Sequence, residues 1–227
     1  MTQFLPPKAK GITQVYTVIG ATKSRAMRVL WALEEIGVPY EHIPAAPRSD
    51  DAFKYNPTGK VPALVDGDHV LTDSMAIVTY LADKHGALTA PAGTPERARQ
   101  DAMTFWLIDE FDAVLWTAAK HKFVLPEELR QPDVISTIKQ EFSRNAEFLS
   151  NQLQGPFLMG DQITIPDILA CHCLNWAIGA KFPRTDDKLF NYGKSLRERP
   201  AFQAGASRED KAPLAACRPV ARHAVMR

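Results

Sequence analysis

The chain has 227 residues, enough for one large domain or two small ones. Its 27 basic and 26 acidic residues leave a formal charge of +1, which excludes a general pull towards nucleic acid or an anionic membrane surface. No apolar run nears the roughly 18 residues of a membrane span, and Cys171, Cys173 and Cys217 lack the spacing of a secreted disulfide framework.

The opening stretch, Met1 to Gly11, is too polar for a secretory signal and reads as a floppy leader. Gln14 to Ile19 is β-branched and aromatic, a strand, and Gly20-Ala21-Thr22 turns out of it. From Ser24 the pattern becomes helical, with Met27, Leu30, Trp31 and Leu33 on one side and Gly37 as the stop. Val38 to Ile43 is a second strand, which makes a β-α-β unit with parallel strands. A loop follows, with a short helix near Asp50 to Lys54. Val61 to Val65 and His69 to Leu71 flank Asp66-Gly67-Asp68, a hairpin signature. Thr72-Asp73-Ser74 then caps a helix that turns Ile77, Val78 and Leu81 inwards and ends at His85-Gly86. The expected N-terminal domain, 12–86, is a small mixed α/β sheet with helices against it.

Ala87 to Pro95 is a linker rich in Pro, Gly, Ala and Thr. After it the chain is all-helical, over an expected second domain of 96–227. One helix runs from Glu96 to Lys120, with Met103, Leu107, Phe111, Val114 and Leu115 inside. Others span Pro132 to Leu153, Ile165 to Ile178 and Asp187 to Arg197. From about Gln203 the chain is Ala- and Arg-rich and is expected to lie on the surface or fray. Thr164 and Asp167 form a capping pair, Pro166 sits in the first turn, and Ile163 with Ile168 makes a hydrophobic staple. Cys171 and Cys173 point roughly 200° apart on a helix, so they read as core and no metal site is expected of them.

The chemistry gathers around Asn56 to Leu64, NPTGKVPAL. Pro62 has no N–H and fits the first residue of a strand. A tight turn into a strand also suits a cis Val61–Pro62 bond, the alternative being an ordinary trans proline. Val61 is then extended, with backbone groups free to pair with a peptide-like ligand. Asp73 offers a carboxylate to an ammonium; Ser74 and the helix N-terminus offer donors to a carboxylate. Lys60 suits a terminal carboxylate. The ligand's thiol would lie at the turn Gly20 to Arg25. A free thiol titrates near 8.5, so ionising it at neutral pH takes about 2.7 kcal/mol. One hydroxyl hydrogen bond to the thiolate supplies about 1.5–3 kcal/mol. Thr22 and Ser24 both carry that hydroxyl.

Four stretches carry a resemblance: VLWALEEIGVPYE from Val29, NPTGKVPAL from Asn56, LTDSMAIVTYLADKHG from Leu71 and FLMGDQITIPDI from Phe157. Together they resemble the bacterial cytosolic glutathione S-transferases. The resemblance implies a thioredoxin-like N-terminal domain with cis-Pro62, a helical C-terminal domain, a homodimer and a cytoplasmic enzyme. It implies glutathione as co-substrate, with no metal and no nucleic-acid or membrane partner. Val61 would pair with the cysteinyl backbone, Asp73 and Ser74 would hold the γ-glutamyl end, and Lys60 the glycyl end. A small hydrophobic electrophile would lie against the first long helix, where Trp106, Phe111, Trp116, His121 and Phe123 are found. Asp101 would then reach a partner's glutathione across the dimer, the alternative being a solvated helix face. The catalytic turn departs from the pattern. Lys23 stands where many members carry serine or cysteine, so Thr22 is favoured as thiol activator and Ser24 is the runner-up. A glutathione-dependent isomerase or disulfide reductase, or a non-catalytic binding module, are the alternatives.

Overall fold

The structure is a computed structural model that describes residues 15–208. The leader, Gln14, Cys217 and the chain beyond 208 lie outside the described residues. Four strands form one sheet in the order β2-β1-β3-β4: β1 Tyr16–Ile19, β2 Tyr40–Ile43, β3 Ala63–Asp66 and β4 His69–Thr72. β1 runs parallel to β2, with Tyr16 opposite Tyr40, because helix α1 (Ala26–Ile36) carries the chain back between them. β3 runs antiparallel to β1 with Val18 opposite Leu64, and β4 returns beside β3 through the Asp66-Gly67-Asp68 turn.

Side chains alternate across these strands. Tyr16, Val18 and Leu64 face α1 and α3 (Ser74–His85). Ile19 and Ala63 face the other side, with Ala45 and Tyr55. Tyr55 ends α2 (Asp50–Tyr55), whose first turn is capped by the Ser49 hydroxyl accepting from Ala52 N–H. This is the thioredoxin-like arrangement expected, with the helical part following it.

The helical part is built on α4 (Pro95–Leu107), α5 (Ala113–Ala119), α6 (Val134–Gln152), α7 (Ile165–Gly179) and α8 (Asp187–Arg197). Phe111, Phe142, Leu149 and Ile168 are fully buried at its centre. α7 packs against α1, α4, α5 and α8, so it joins the bundle to the sheet domain. At its start the Asp167 carboxylate accepts from the Thr164 N–H (2.8 Å), the Thr164 hydroxyl (3.0 Å), the Leu158 N–H (2.8 Å) and the Tyr192 hydroxyl (2.7 Å).

Two expectations are corrected. The helix read as continuous from Glu96 to Lys120 contains a π-helical turn at Ile108–Asp112, and another follows α5 at Lys120–Val124. The first turn lets the neighbours Phe111 and Asp112 both face inwards, a placement common near functional sites. The chain from Gln203 to Ala206 does not fray. It belongs to α9 (Pro200–Ala206), which packs on α1. Phe202 meets Trp31 edge-on at 5.1 Å, and Gly205 lies so close that a Cβ there would come within 3.3 Å of the Trp31 backbone nitrogen. Arg199 donates twice to Glu35, at 2.6 and 2.8 Å.

Candidate functional site

The turn after β1, the loop before β3 and the start of α3 converge on one cleft of about 1970 Å³. Thr22, Ser24, Lys60, Val61, Pro62, Asp73 and Ser74 all line it, with Lys23 beside them. Gly20 makes the convergence possible. Its φ is 142°, and a Cβ there would meet Ala26 Cβ at 2.7 Å and Val61 Cβ at 3.1 Å. The turn is held from below by Gly20 N–H to Ile43 O (2.9 Å) and Ala21 N–H to Ala45 O (2.8 Å).

Of the two hydroxyls of this turn, that of Ser24 is engaged within it. Ser24 donates its proton to Ala21 O at 2.6 Å and accepts from Ala26 N–H at 3.1 Å. That pattern caps the first turn of α1 and commits the proton locally. Thr22 is half-buried on the cleft wall, and Lys23 is exposed.

The loop carrying Val61 is stiffened by Asn56. Its side-chain amide donates to Lys60 O (3.0 Å), and its Oδ1 accepts from the Thr58 N–H (3.0 Å) and hydroxyl (2.8 Å). The Val61–Pro62 bond is cis. Among the described residues the Val61 N–H and C=O make no backbone hydrogen bond. They are the open edge that strand addition uses.

Asp73 has φ 70°, an uncommon backbone for a non-glycine residue, held at the mouth of the cleft. Its Oδ1 accepts from the Met75 N–H (2.9 Å) and the Ala76 N–H (3.1 Å), and its Oδ2 has no hydrogen bond among the described residues. The helix N-terminus is therefore less free than the sequence suggests, the Ser74 N–H being the donor left in that turn. The Ser74 hydroxyl accepts from Arg28 Nη1 at 3.1 Å, which aims its own proton elsewhere.

Behind Ser74 lies a buried charge cluster that sequence reasoning missed. Arg28 is 2% exposed; it pairs with Asp112 and donates to His172 Nδ1 (2.9 Å), while its Nε has no hydrogen-bond partner among the described residues. Arg25 forms a second pair with Asp112 and lies over both Trp116 and Trp176, 5.2 and 5.1 Å from their ring centroids. Burial pushes the Asp112 carboxyl up, but the two guanidiniums outweigh it and hold it at about 2. Asp112, His172 and Cys173 offer donor atoms within 4.8 Å of one another, and the Arg28 guanidinium is the cation they surround. An arginine within the apolar stripe of α1 was the available signal; its partner lies 84 residues on.

Of the aromatics expected near a second substrate, Trp116 and Phe123 line the cleft, as does His121. Trp106 and Phe111 instead stack in the core, 5.6 Å apart. Asp101 accepts from Arg97 Nε at 2.8 Å along its own helix.

Residues 14–83 match the model of the glutathione S-transferase N-terminal domain. Glutathione S-transferase 3 of Zea mays is 30% identical over 197 residues, which cover 78% of this chain and 86% of that one. The chain belongs to the glutathione S-transferase family. A theta-class glutathione S-transferase of Xanthomonas axonopodis pv. citri, solved with glutathione bound, is similar with a TM-score of 0.68 and 28% identity, over 85% of this chain and 97% of that one. A wheat glutathione S-transferase matches more closely but over less: 54% identity across 59 residues, 26% of this chain and 28% of that relative's length.

In this glutathione S-transferase chain the charge cluster ties the turn to α7. His172 Nδ1 accepts from Arg28, so its proton sits on Nε2, which donates to Ser24 O at 3.3 Å. Burial, then Arg28, hold the imidazole well below its ordinary range. The unfolded chain takes up a proton below about pH 6.5 that the folded ring refuses, so stability falls as pH falls. His172 is expected to account for about 1.4 kcal/mol of loss between about pH 7.5 and about pH 5.5. Urea melts of the parent and of His172→Gln at both pH values check this: the parent's additional loss should vanish in the variant.

Proposed function

We propose that the chain is a glutathione transferase whose cleft ionises the glutathione thiol and directs it at a small hydrophobic electrophile. One observation carries the reading. A cis-Pro62 loop with an open Val61 backbone, the Asp73–Ser74 helix start and a hydroxyl-bearing turn at a second helix start all face one cleft. The glutathione in the Xanthomonas relative supports it. Val61 pairs with the cysteinyl backbone. Asp73 Oδ2 takes the γ-glutamyl ammonium, the Ser74 hydroxyl and N–H take its carboxylate, and Lys60 takes the glycyl carboxylate. The thiol lies at Thr22, where the hydroxyl and the N-terminus of α1 stabilise its thiolate. The thiol proton leaves to solvent. The sulfur then attacks the electrophilic carbon, a C–S bond forms, and the leaving group departs with the pair of the broken bond.

A disulfide reductase needs an accessible low-pKa thiol. Among the described residues the two thiols, Cys171 and Cys173, are fully buried and pushed up to about 12 by burial, so neither serves that alternative. Their unpaired state fits a reducing cytoplasm. No helix among the described residues is long and apolar enough to cross a membrane. We take the boundary between the domains to lie in 87–95. The test is retention on immobilised glutathione followed by turnover of an aryl chloride. Retention with turnover supports the transferase, retention without turnover the non-catalytic module, and absence of both overturns the site.

The partner in assembly is a second copy of the chain. Phe53 on α2, Val70 on the edge strand β4, Tyr80 on α3 and Phe105 on α4 are exposed apolar side chains. Phe53→Ser combined with Val70→Lys is expected to halve the mass measured by sedimentation at micromolar concentration. An unchanged dimer mass would place the interface elsewhere.

A further inference from the structure

We propose that the electrophile this cleft accepts is an anionic aromatic, a flat apolar body carrying a carboxylate or sulfonate, rather than a neutral arene. The inference rests on the transferase reading above and narrows its second substrate. Beyond the turn the cleft wall is aromatic, with Trp116, Trp176, Phe123 and Phe182. Phe123 is 63% exposed, an apolar side chain held open to the cleft.

The same cleft is lined by Lys122, Arg130 and Lys139, with Glu127 the carboxylate from that part of the chain; Asp73 and Asp112 line it too, at the start of α3 and beside Arg25 and Arg28. Among the described residues none of these three cations is in an ion pair. Arg130 donates Nε to Leu125 O (2.9 Å) and Nη2 to Phe123 O (3.4 Å), which fixes the guanidinium and leaves Nη1 for a ligand. The Lys139 ammonium lies 5.9 Å from the Phe182 ring centroid. Several basic side chains elsewhere are neutralised, Lys84 by Asp66, Arg97 by Asp83 and Asp101, Arg199 by Glu35 and Arg208 by Glu34, whereas these three line a cleft without such a match. Arg25, on the same cleft, is matched by Asp112.

Glutathione does not use these charges, because its own groups are met at Lys60, at Ser74 and at the turn. The second substrate therefore meets rings for its body and an excess of positive charge for its edge. An anion gains charge-assisted hydrogen bonds there while its ring packs on the aromatics. A cationic electrophile is repelled, and a neutral one leaves the three cations as hydrated as before.

The experiment compares a chloronitrobenzoate with its methyl ester, two aryl chlorides that differ in charge. Each kcat/KM is divided by the uncatalysed rate with free glutathione under the same conditions. The acid is expected to lead by about fivefold or more, and its lead to shrink as salt is added. In the double variant Lys122→Gln, Lys139→Gln the acid-to-ester ratio should fall to about one. An ester turned over as well as the acid overturns the proposal and leaves the transferase standing, as does a double variant that slows both compounds alike. Turnover of neither compound, nor of a dinitro aryl chloride, overturns the transferase reading itself and the proposal with it.

Discussion

Replacing Asp112 with alanine is expected to lower the melting midpoint by on the order of 10 °C. The side chain stands between two guanidiniums, and Arg28 is 2% exposed. Removing the carboxylate leaves Arg28 charged, buried and unpaired, a loss of about 3–5 kcal/mol. In a domain of this size each kcal/mol moves the midpoint by roughly 2–4 °C. Asp112→Asn keeps an acceptor but no charge, and falls between the two. Adding Arg28→Met to Asp112→Ala removes the orphaned charge and should recover much of the loss, which distinguishes a charge effect from a packing defect. The pH dependence has a fixed sign. A carboxyl held at about 2 contributes stability that is complete above the unfolded value near 3.9 and is lost as pH falls from there towards 2. The parent should lose this increment on acidification and Asp112→Ala should not. Calorimetric melts within about 2 °C of the parent would remove Asp112 from any structural role.

What was legible in the sequence was local. Turn residues, caps and apolar periods act within a few positions, so the β-α-β unit, the Asp-Gly hairpin and the start of α3 could be placed from composition. The Asn56 to Leu64 stretch and Asp73-Ser74 were found for the same reason: proline geometry and helix capping are written in adjacent residues. Position in space was not legible. Arg28 and Asp112 are 84 residues apart, and only the docking of α7 on α1, with the π-helical turn packed on α7, makes them partners. The π-helical turn that lets Asp112 face inwards has no signature in the residues it contains. α9 was missed because its seven residues, PAFQAGA, are too few to show an apolar period. Gly205 lets it approach the α1 backbone, and that need exists only once α1 is in place. The choice between Thr22 and Ser24 could not be made from residue type, since both carry a hydroxyl on one turn.

The Ser24 proton is committed within the turn, and substitution reads what each hydroxyl does for the sulfur. Ser24 donates to Ala21 O at 2.6 Å, so its hydroxyl serves the turn. Thr22 lines the cleft on the same turn, at the N-terminal end of α1. Thr22→Val keeps the shape and removes the hydroxyl. A hydrogen bond to a charged acceptor is worth about 1.5–3 kcal/mol, so the pKa of bound glutathione should rise by about 1–2 units. The same loss lowers kcat/KM near neutral pH by about 10- to 100-fold. Ser24→Ala removes a cap and should cost about 1 kcal/mol of stability, with the thiol pKa unchanged. Titration of the bound thiolate by its ultraviolet absorbance reads the pKa directly, and thermal melts read the cap. If Ser24→Ala raises the thiol pKa and Thr22→Val does not, the two roles are exchanged. If neither moves it, no hydroxyl activates the sulfur, and the remaining positive groups at the turn are the N-terminus of α1, Lys23 and the Arg25 guanidinium lying over Trp116 and Trp176. A cation and a helix end act through space rather than through one shared proton. In that case the thiol pKa would rise with salt, whereas a short hydroxyl contact is screened little.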